Sequence, residues 1–145
     1  MSNIYIIEIE IFGQTSIAFV DTNERRSYVT TALLREFECL YDFPIRYRYG
    51  VPMLDKFPFV INNERMNFPL KIVLEEEVPM IVLGEDWLEY TNAIIYKRPA
   101  IMLNFQRKSI YISAVKYQTW INDSKKKRTR KLMKQNIVTE EFEEY

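Results

Sequence analysis

Pro44, Pro52, Pro58, Pro69 and Pro79 cut the middle of the chain into short extended pieces. A proline fixes its own φ and gives up a ladder donor, so pieces bounded this way read as brief strands joined by turns. The flanking sequence has the matching period. Over 4–12, β-branched and aromatic residues alternate with Glu8 and Glu10, and Gly13-Gln14 then turns the chain into a second strand over 15–20. Segments 58–62 and 67–74 flank the polar turn Asn62-Asn63-Glu64-Arg65, which predicts another hairpin. The apolar run 78–83 predicts a buried strand, broken by Gly84-Glu85-Asp86, with a short helix or turn over 87–90. Further strands are expected at 93–96, 101–105 and 109–112. Only 30–40 carries a helical stripe, Ala32, Leu33, Leu34, Phe37 and Leu40, with Thr30 or Thr31 as its cap. The expected body is β-rich with one or two small helices.

What is missing narrows the chemistry. None of the 145 residues is a histidine, which removes Ser-His-Asp and Cys-His catalysis and every His-ligated metal site. Acid–base work must then fall to carboxylates, lysines or tyrosines. The glycines Gly13, Gly50 and Gly84 are too scattered for a phosphate loop or a dinucleotide fingerprint. Cys39 is the only cysteine, cannot close an internal disulfide, and reads as a buried hydrophobe. Twenty basic residues balance twenty acidic ones, which leaves no overall charge argument for nucleic acid or an anionic membrane. No apolar run approaches the ~20 residues of a membrane span, and the polar start is unlike a signal peptide. An intracellular, cytoplasmic protein is expected.

The character changes late in the chain. A domain over 1–115 is followed over 116–145 by a charged tail or linker, with a basic block at 124–131 and an acidic one at 140–145. That tail is where nucleic acid would bind, if anywhere, together with Arg46 and Arg48. Otherwise neither nucleic acid nor membrane is expected as a partner.

Two segments concentrate the candidate chemistry. In the first, Phe19-Val20-Asp21-Thr22-Asn23-Glu24-Arg25-Arg26-Ser27-Tyr28-Val29, an apolar strand ends on an acid whose charge must be met by hydrogen bonds. Taken alone, it reads as an Asp-Thr-Asn turn in which Asp21 or Asn23 bonds its own backbone. The second is Val82-Leu83-Gly84-Glu85-Asp86-Trp87-Leu88, in which Trp87 reads as core. Together, at this separation, the two resemble the Asp-Thr/Ser-Gly-Ala and Ile-Leu-Gly-x-Asp-Trp-Leu motifs of retropepsin-like aspartic proteases, nearest those of gypsy-type retroelements.

The resemblance implies an all-β half-barrel with one or two short helices that dimerises, each chain supplying one catalytic Asp21. It implies an endopeptidase that needs no metal or other cofactor and acts on extended polypeptide. Thr22 would bond across the dimer and hold both loops rigid. Asn23 and Glu24 would border the substrate. A flap over 45–52 would bring Tyr47, Tyr49 and Gly50 over it. Gly84 and Asp86 would support the site, with Arg25 or Arg26 pairing with Glu85 or Asp86. Asn23 and Glu24 stand where the family has glycine and alanine. Asn tolerates left-handed backbone angles, whereas Glu24 adds a carboxylate beside the pair. A second reading therefore stands beside the enzyme: an inactive retropepsin-like domain serving as a dimerisation or peptide-binding module.

Overall fold

The computed structural model describes residues 3–74, 78–98, 100–119 and 121–122. Strands β1 (Ile4–Ile11) and β2 (Gln14–Asp21) form the first hairpin, followed by β3 (Tyr28–Thr30) and helix α1 (Thr31–Glu36). Next come β4 (Ile45–Arg48), β5 (Val51–Ile61), β6 (Glu64–Val73), β7 (Ile81–Leu83) and helix α2 (Glu85–Tyr90). The chain continues through β8 (Ile94–Tyr96), β9 (Ala100–Phe105), β10 (Lys108–Ser113) and β11 (Val115–Lys116). Eight strands share a sheet in the order β11-β1-β2-β7-β3-β6-β5-β4, and a further contact, Glu10 opposite Val60, joins β1 to β5. That contact closes β1-β2-β7-β3-β6-β5 into a barrel. The second sheet has the order β10-β9-β8. The expected β-rich architecture with few short helices is what the chain adopts.

Ile7, Ile9 and Ile11 point into the core while Glu8 and Glu10 face solvent, so the alternation read in the sequence is the alternation of burial. Trp87, Phe57, Phe59, Leu34, Leu54, Leu70 and Ile81 fill the interior. Trp87 is a core residue, as expected, although its indole N–H meets no acceptor among the described residues. Cys39 is buried too, and burial, reinforced by Asp42, pushes its thiol pKa up.

Several boundaries differ from expectation, each for a local reason. The first turn is Phe12-Gly13, not Gly13-Gln14, because Ile11 pairs with Gln14. Both turn residues have positive φ, the signature of a tight two-residue hairpin. Asn62-Asn63 does the same between β5 and β6, so Glu64 and Arg65 belong to a strand rather than to the turn. Strand β5 runs unbroken in sequence through Pro52 and Pro58. These prolines oppose Tyr47 and Asn67, pairs one and three steps removed from their turn-flanking pairs, odd positions where ladder bonds alternate out and no N–H is required. Helix α1 ends at Glu36, short of residue 40. Glu38 adopts φ 55°, and the amides of Glu38 and Cys39 donate back to the carbonyls of Arg35 and Leu34. Residues 78–80 stay outside β7 because Thr30 engages them. Its hydroxyl donates to Val78 O at 2.9 Å, and its amide donates to Met80 O at 3.1 Å.

Among the described residues no helix is long and apolar enough to cross a membrane. The charged blocks at 124–131 and 140–145 lie outside the described residues.

Candidate active site

Strands β2 and β7 run parallel as neighbours, with Phe19 opposite Val82 and Val20 opposite Leu83. One residue further along, Asp21 ends β2 and Gly84 follows β7, at the same end of the sheet. The parallel register is therefore what brings the two sequence motifs together across the intervening chain.

The Asp21 loop is fixed by its own hydrogen bonds. Asn23 N–H donates to Asp21 Oδ1 at 3.0 Å, and Glu24 N–H donates to the Asp21 carbonyl at 3.2 Å. The aspartate thus closes the turn that the sequence also allowed. Thr22 ties the loop to the start of β1, its amide and its hydroxyl both donating to Asn3 O, at 3.2 and 3.3 Å. The resemblance gave Thr22 a bond across the dimer; within the chain its hydroxyl proton is directed to Asn3 O, leaving the oxygen lone pairs as acceptors.

Behind the loop stands helix α2. Its first amides lack partners within the helix, and the loop supplies them: Glu85 N–H donates to Glu24 O at 2.7 Å, and Asp86 N–H to Arg25 O at 3.2 Å. This explains why α2 begins at Glu85, two residues before the expected 87. Gly84 caps it, and the glycine is required by space rather than by φ. A Cβ there would collide with the Glu24 carbonyl oxygen and lie 3.1 Å from its carbon.

Asp86 completes the brace. Ser27 donates to Asp86 Oδ1 from its hydroxyl at 2.6 Å and from its amide at 3.0 Å, and Trp87 N–H donates to the same oxygen at 2.7 Å. Ser27 Oγ in turn accepts from Gly84 N–H at 2.8 Å. The expected pairing of Arg25 or Arg26 with Glu85 or Asp86 does not occur. Among the described residues the ion pairs are Arg46–Asp55 and Lys108–Glu64. The Asp86 carboxylate is already occupied by neutral donors, and the tie between the two motifs runs through Ser27 and the backbone.

Two openings flank the loop. One, of about 190 Å³, is a mostly apolar recess walled by Ile4, Phe19, Tyr28, Met80, Val82 and Tyr117, with Asp21 in its lining. The other, of about 570 Å³, is a charged cleft lined by Asn23, Glu24, Arg25, Arg26, Lys71 and the acids of α2. Glu24 and Asn23 line the charged cleft and not the Asp21 recess.

Tyr47, Tyr49 and Gly50 lie on the β4–β5 hairpin at the edge of the large sheet and line neither opening. Tyr49 and Gly50 form its turn, both with positive φ, and Tyr49 is 99% exposed. Among the described residues, no cluster of three His, Cys, Asp or Glu is arranged to hold a metal ion.

Sequence reasoning missed Ser27 as a support and missed the recess walls. Ser27 stood inside the first motif, and its hydroxyl was the available signal. Nothing in the linear sequence draws Tyr117 toward Asp21.

No protein-family model matches the chain, and no curated protein matches it in sequence. Among solved structures it is similar to the retroviral protease-like domain of Ddi1 from Leishmania major. The TM-score is 0.63 at 13% identity, over 77% of this chain and 90% of that one. The chain has a retropepsin-like fold.

Proposed function

We propose that the chain is one subunit of a homodimeric aspartic endopeptidase of gypsy-type retroelement origin, acting on extended polypeptide. The observation that carries this reading is the placement of Asp21. It ends a barrel strand in a loop braced by α2, and it lines an apolar recess large enough for a side chain. A chain with a single such loop completes a two-carboxylate site by pairing with a copy of itself about a two-fold axis.

Two Asp21 carboxylates held a few ångströms apart share one proton, because both cannot ionise cheaply. The ionised member takes a proton from a water held between them. The water oxygen forms a bond to the scissile carbonyl carbon, and the protonated member donates to the developing oxyanion. Collapse of the tetrahedral intermediate breaks the C–N bond, and the amine leaves with a proton from the dyad. Asn23 N–H on Asp21 Oδ1 fixes the carboxylate plane for this exchange.

The alternative, a non-catalytic dimerisation or peptide-binding module, is favoured by the two substitutions in the loop, Asn23 and Glu24. Cleavage of a peptide library at mildly acid pH, run beside Asp21→Asn, separates the two. Turnover abolished by the substitution establishes the enzyme. No turnover from a folded dimer leaves the binding module.

A further inference from the structure

Arg25, Arg26 and Lys71 line the larger opening together with Glu24, Glu85 and Glu89. The ion pairs among the described residues lie elsewhere, at Arg46–Asp55 and Lys108–Glu64. Asp86, the remaining acid of the lining, already accepts from Ser27 and Trp87. The two signs come from different elements. The arginines follow Asp21 on its loop, Lys71 lies on β6, and Glu85 and Glu89 stand one turn apart on α2. The backbones that carry them are fastened to one another. Arg25 O accepts from Asp86 N–H, Glu24 O accepts from Glu85 N–H, and Lys71 N–H donates to Ser27 O at 3.1 Å. Bases and acids are thus held around about 570 Å³ of open space without closing into ion pairs.

This cleft adjoins the Asp21 recess. Asp21 lines the recess, and Asn23, two residues on, lines the cleft. Lys71 Nζ lies 5.8 Å from the centroid of the Tyr28 ring, and Tyr28 is itself a wall of the recess. An extended chain advances ~3.3 Å per residue. A polypeptide with an apolar side chain in the recess therefore brings side chains to the cleft within a few positions.

We infer that the charged cleft is a specificity site for extended polypeptide and selects a mixed-charge stretch. An acidic side chain would meet Arg25, Arg26 and Lys71, and a basic one would meet Glu85 and Glu89. The inference rests on the reading above only in that the chain engages polypeptide, whether it cleaves it or binds it. Exposed ion pairs contribute little each, so selection comes largely from rejection. A peptide of one sign meets like charge on one side of the cleft, and a polyanion meets three glutamates.

The test uses full-length Asp21→Asn, which keeps peptides intact and retains an Oδ1 acceptor for Asn23 N–H. Labelled peptides carry one apolar residue, with Asp, Lys or Asn varied over the neighbouring positions, and binding is read by fluorescence anisotropy. Peptides holding both Asp and Lys are expected to bind several-fold tighter than those with Asp alone, Lys alone or Asn alone. Arg25→Glu with Arg26→Glu should turn the preference toward Lys alone, and Glu85→Lys with Glu89→Lys toward Asp alone. Damage to the fold does not produce such opposite reversals. Equal binding of all peptides, no binding of any, or a preference that survives both reversals overturns the inference. Should the double variants fail to fold, salt decides on the Asp21→Asn chain: a preference that fades as salt rises supports the cleft, and one indifferent to salt overturns it. Cleavage of the same peptides by the parent chain is scored separately. Turnover without charge preference keeps the protease and removes the cleft as its selector, whereas charge-selective binding without turnover keeps the cleft and removes the protease.

Discussion

Ser27 and Asp86, 59 positions apart, share a 2.6 Å hydrogen bond that ties the Asp21 loop to helix α2. Ser27 is 1% exposed, and its hydroxyl works in both directions, donating to the carboxylate and accepting from Gly84 N–H. Ser27→Ala strips Asp86 of a donor and orphans a buried amide. Loss of about 1–3 kcal/mol follows from leaving such groups unsatisfied. Urea unfolding should show a lower midpoint at unchanged slope. A midpoint equal to that of the parent would mean the bond adds nothing.

Gly84 and Gly50 predict opposite kinds of damage. At Gly50, φ is +79° and nothing lies within 4 Å of an added Cβ, so Gly50→Ala costs only backbone strain, about 1–2 kcal/mol. At Gly84 the backbone is extended but the Glu24 carbonyl occupies the space, so Gly84→Ala must push the Asp21 loop off α2. Overpacking of that kind costs about 1–3 kcal/mol. The two variants separate by cleavage rather than by stability: Gly84→Ala should abolish any Asp21-dependent turnover, and Gly50→Ala should leave part of it.

Cys39 should behave as an inert thiol. Burial raises its pKa above the ordinary 9.0, with Asp42 adding in the same direction. The folded state therefore favours the neutral thiol. That contribution to stability is complete below the unfolded value and is lost as pH rises through the folded one. Denaturation midpoints should fall above about pH 9, and less so in Cys39→Ala. Aromatic disulfide reagents should label the native chain slowly and the unfolded chain at once; rapid native labelling would contradict the burial.

The strand pattern was legible because apolar alternation is a local signal: Ile7, Ile9 and Ile11 needed no tertiary information to be placed inward. The two motifs identified the fold for a similar reason, since each is contiguous. What escaped the sequence depends on partners far along the chain or on backbone angles its residues do not advertise. Glu38 ends α1 in the left-handed region usually given to glycine, and Gln106-Arg107 turns β9 into β10 with both φ positive. None of these three residue types signals such a conformation. The early start of α2 depends on the Glu24 and Arg25 carbonyls, and the recess on Tyr117, contacts that exist only once the barrel closes.

The β4–β5 hairpin offers a separation of function from stability. Tyr47 and Tyr49 stand out into solvent at the sheet edge, and their removal uncovers no core. The Arg46–Asp55 pair at 2.8 Å is exposed on the arginine side, and pairs of that kind contribute under ~1 kcal/mol. Tyr47→Ala with Tyr49→Ala should therefore unfold within about 0.5 kcal/mol of the parent, the range of surface changes away from special features. If the hairpin closes over an extended peptide, the same double variant should raise KM and lower kcat/KM, because the aromatic faces that would hold the substrate are gone. Arg46→Ala should loosen the hairpin base and produce a smaller change in the same direction. Parent-like cleavage kinetics from the double tyrosine variant would remove this hairpin from the site and leave the Asp21 recess and the charged cleft as the surfaces that meet substrate.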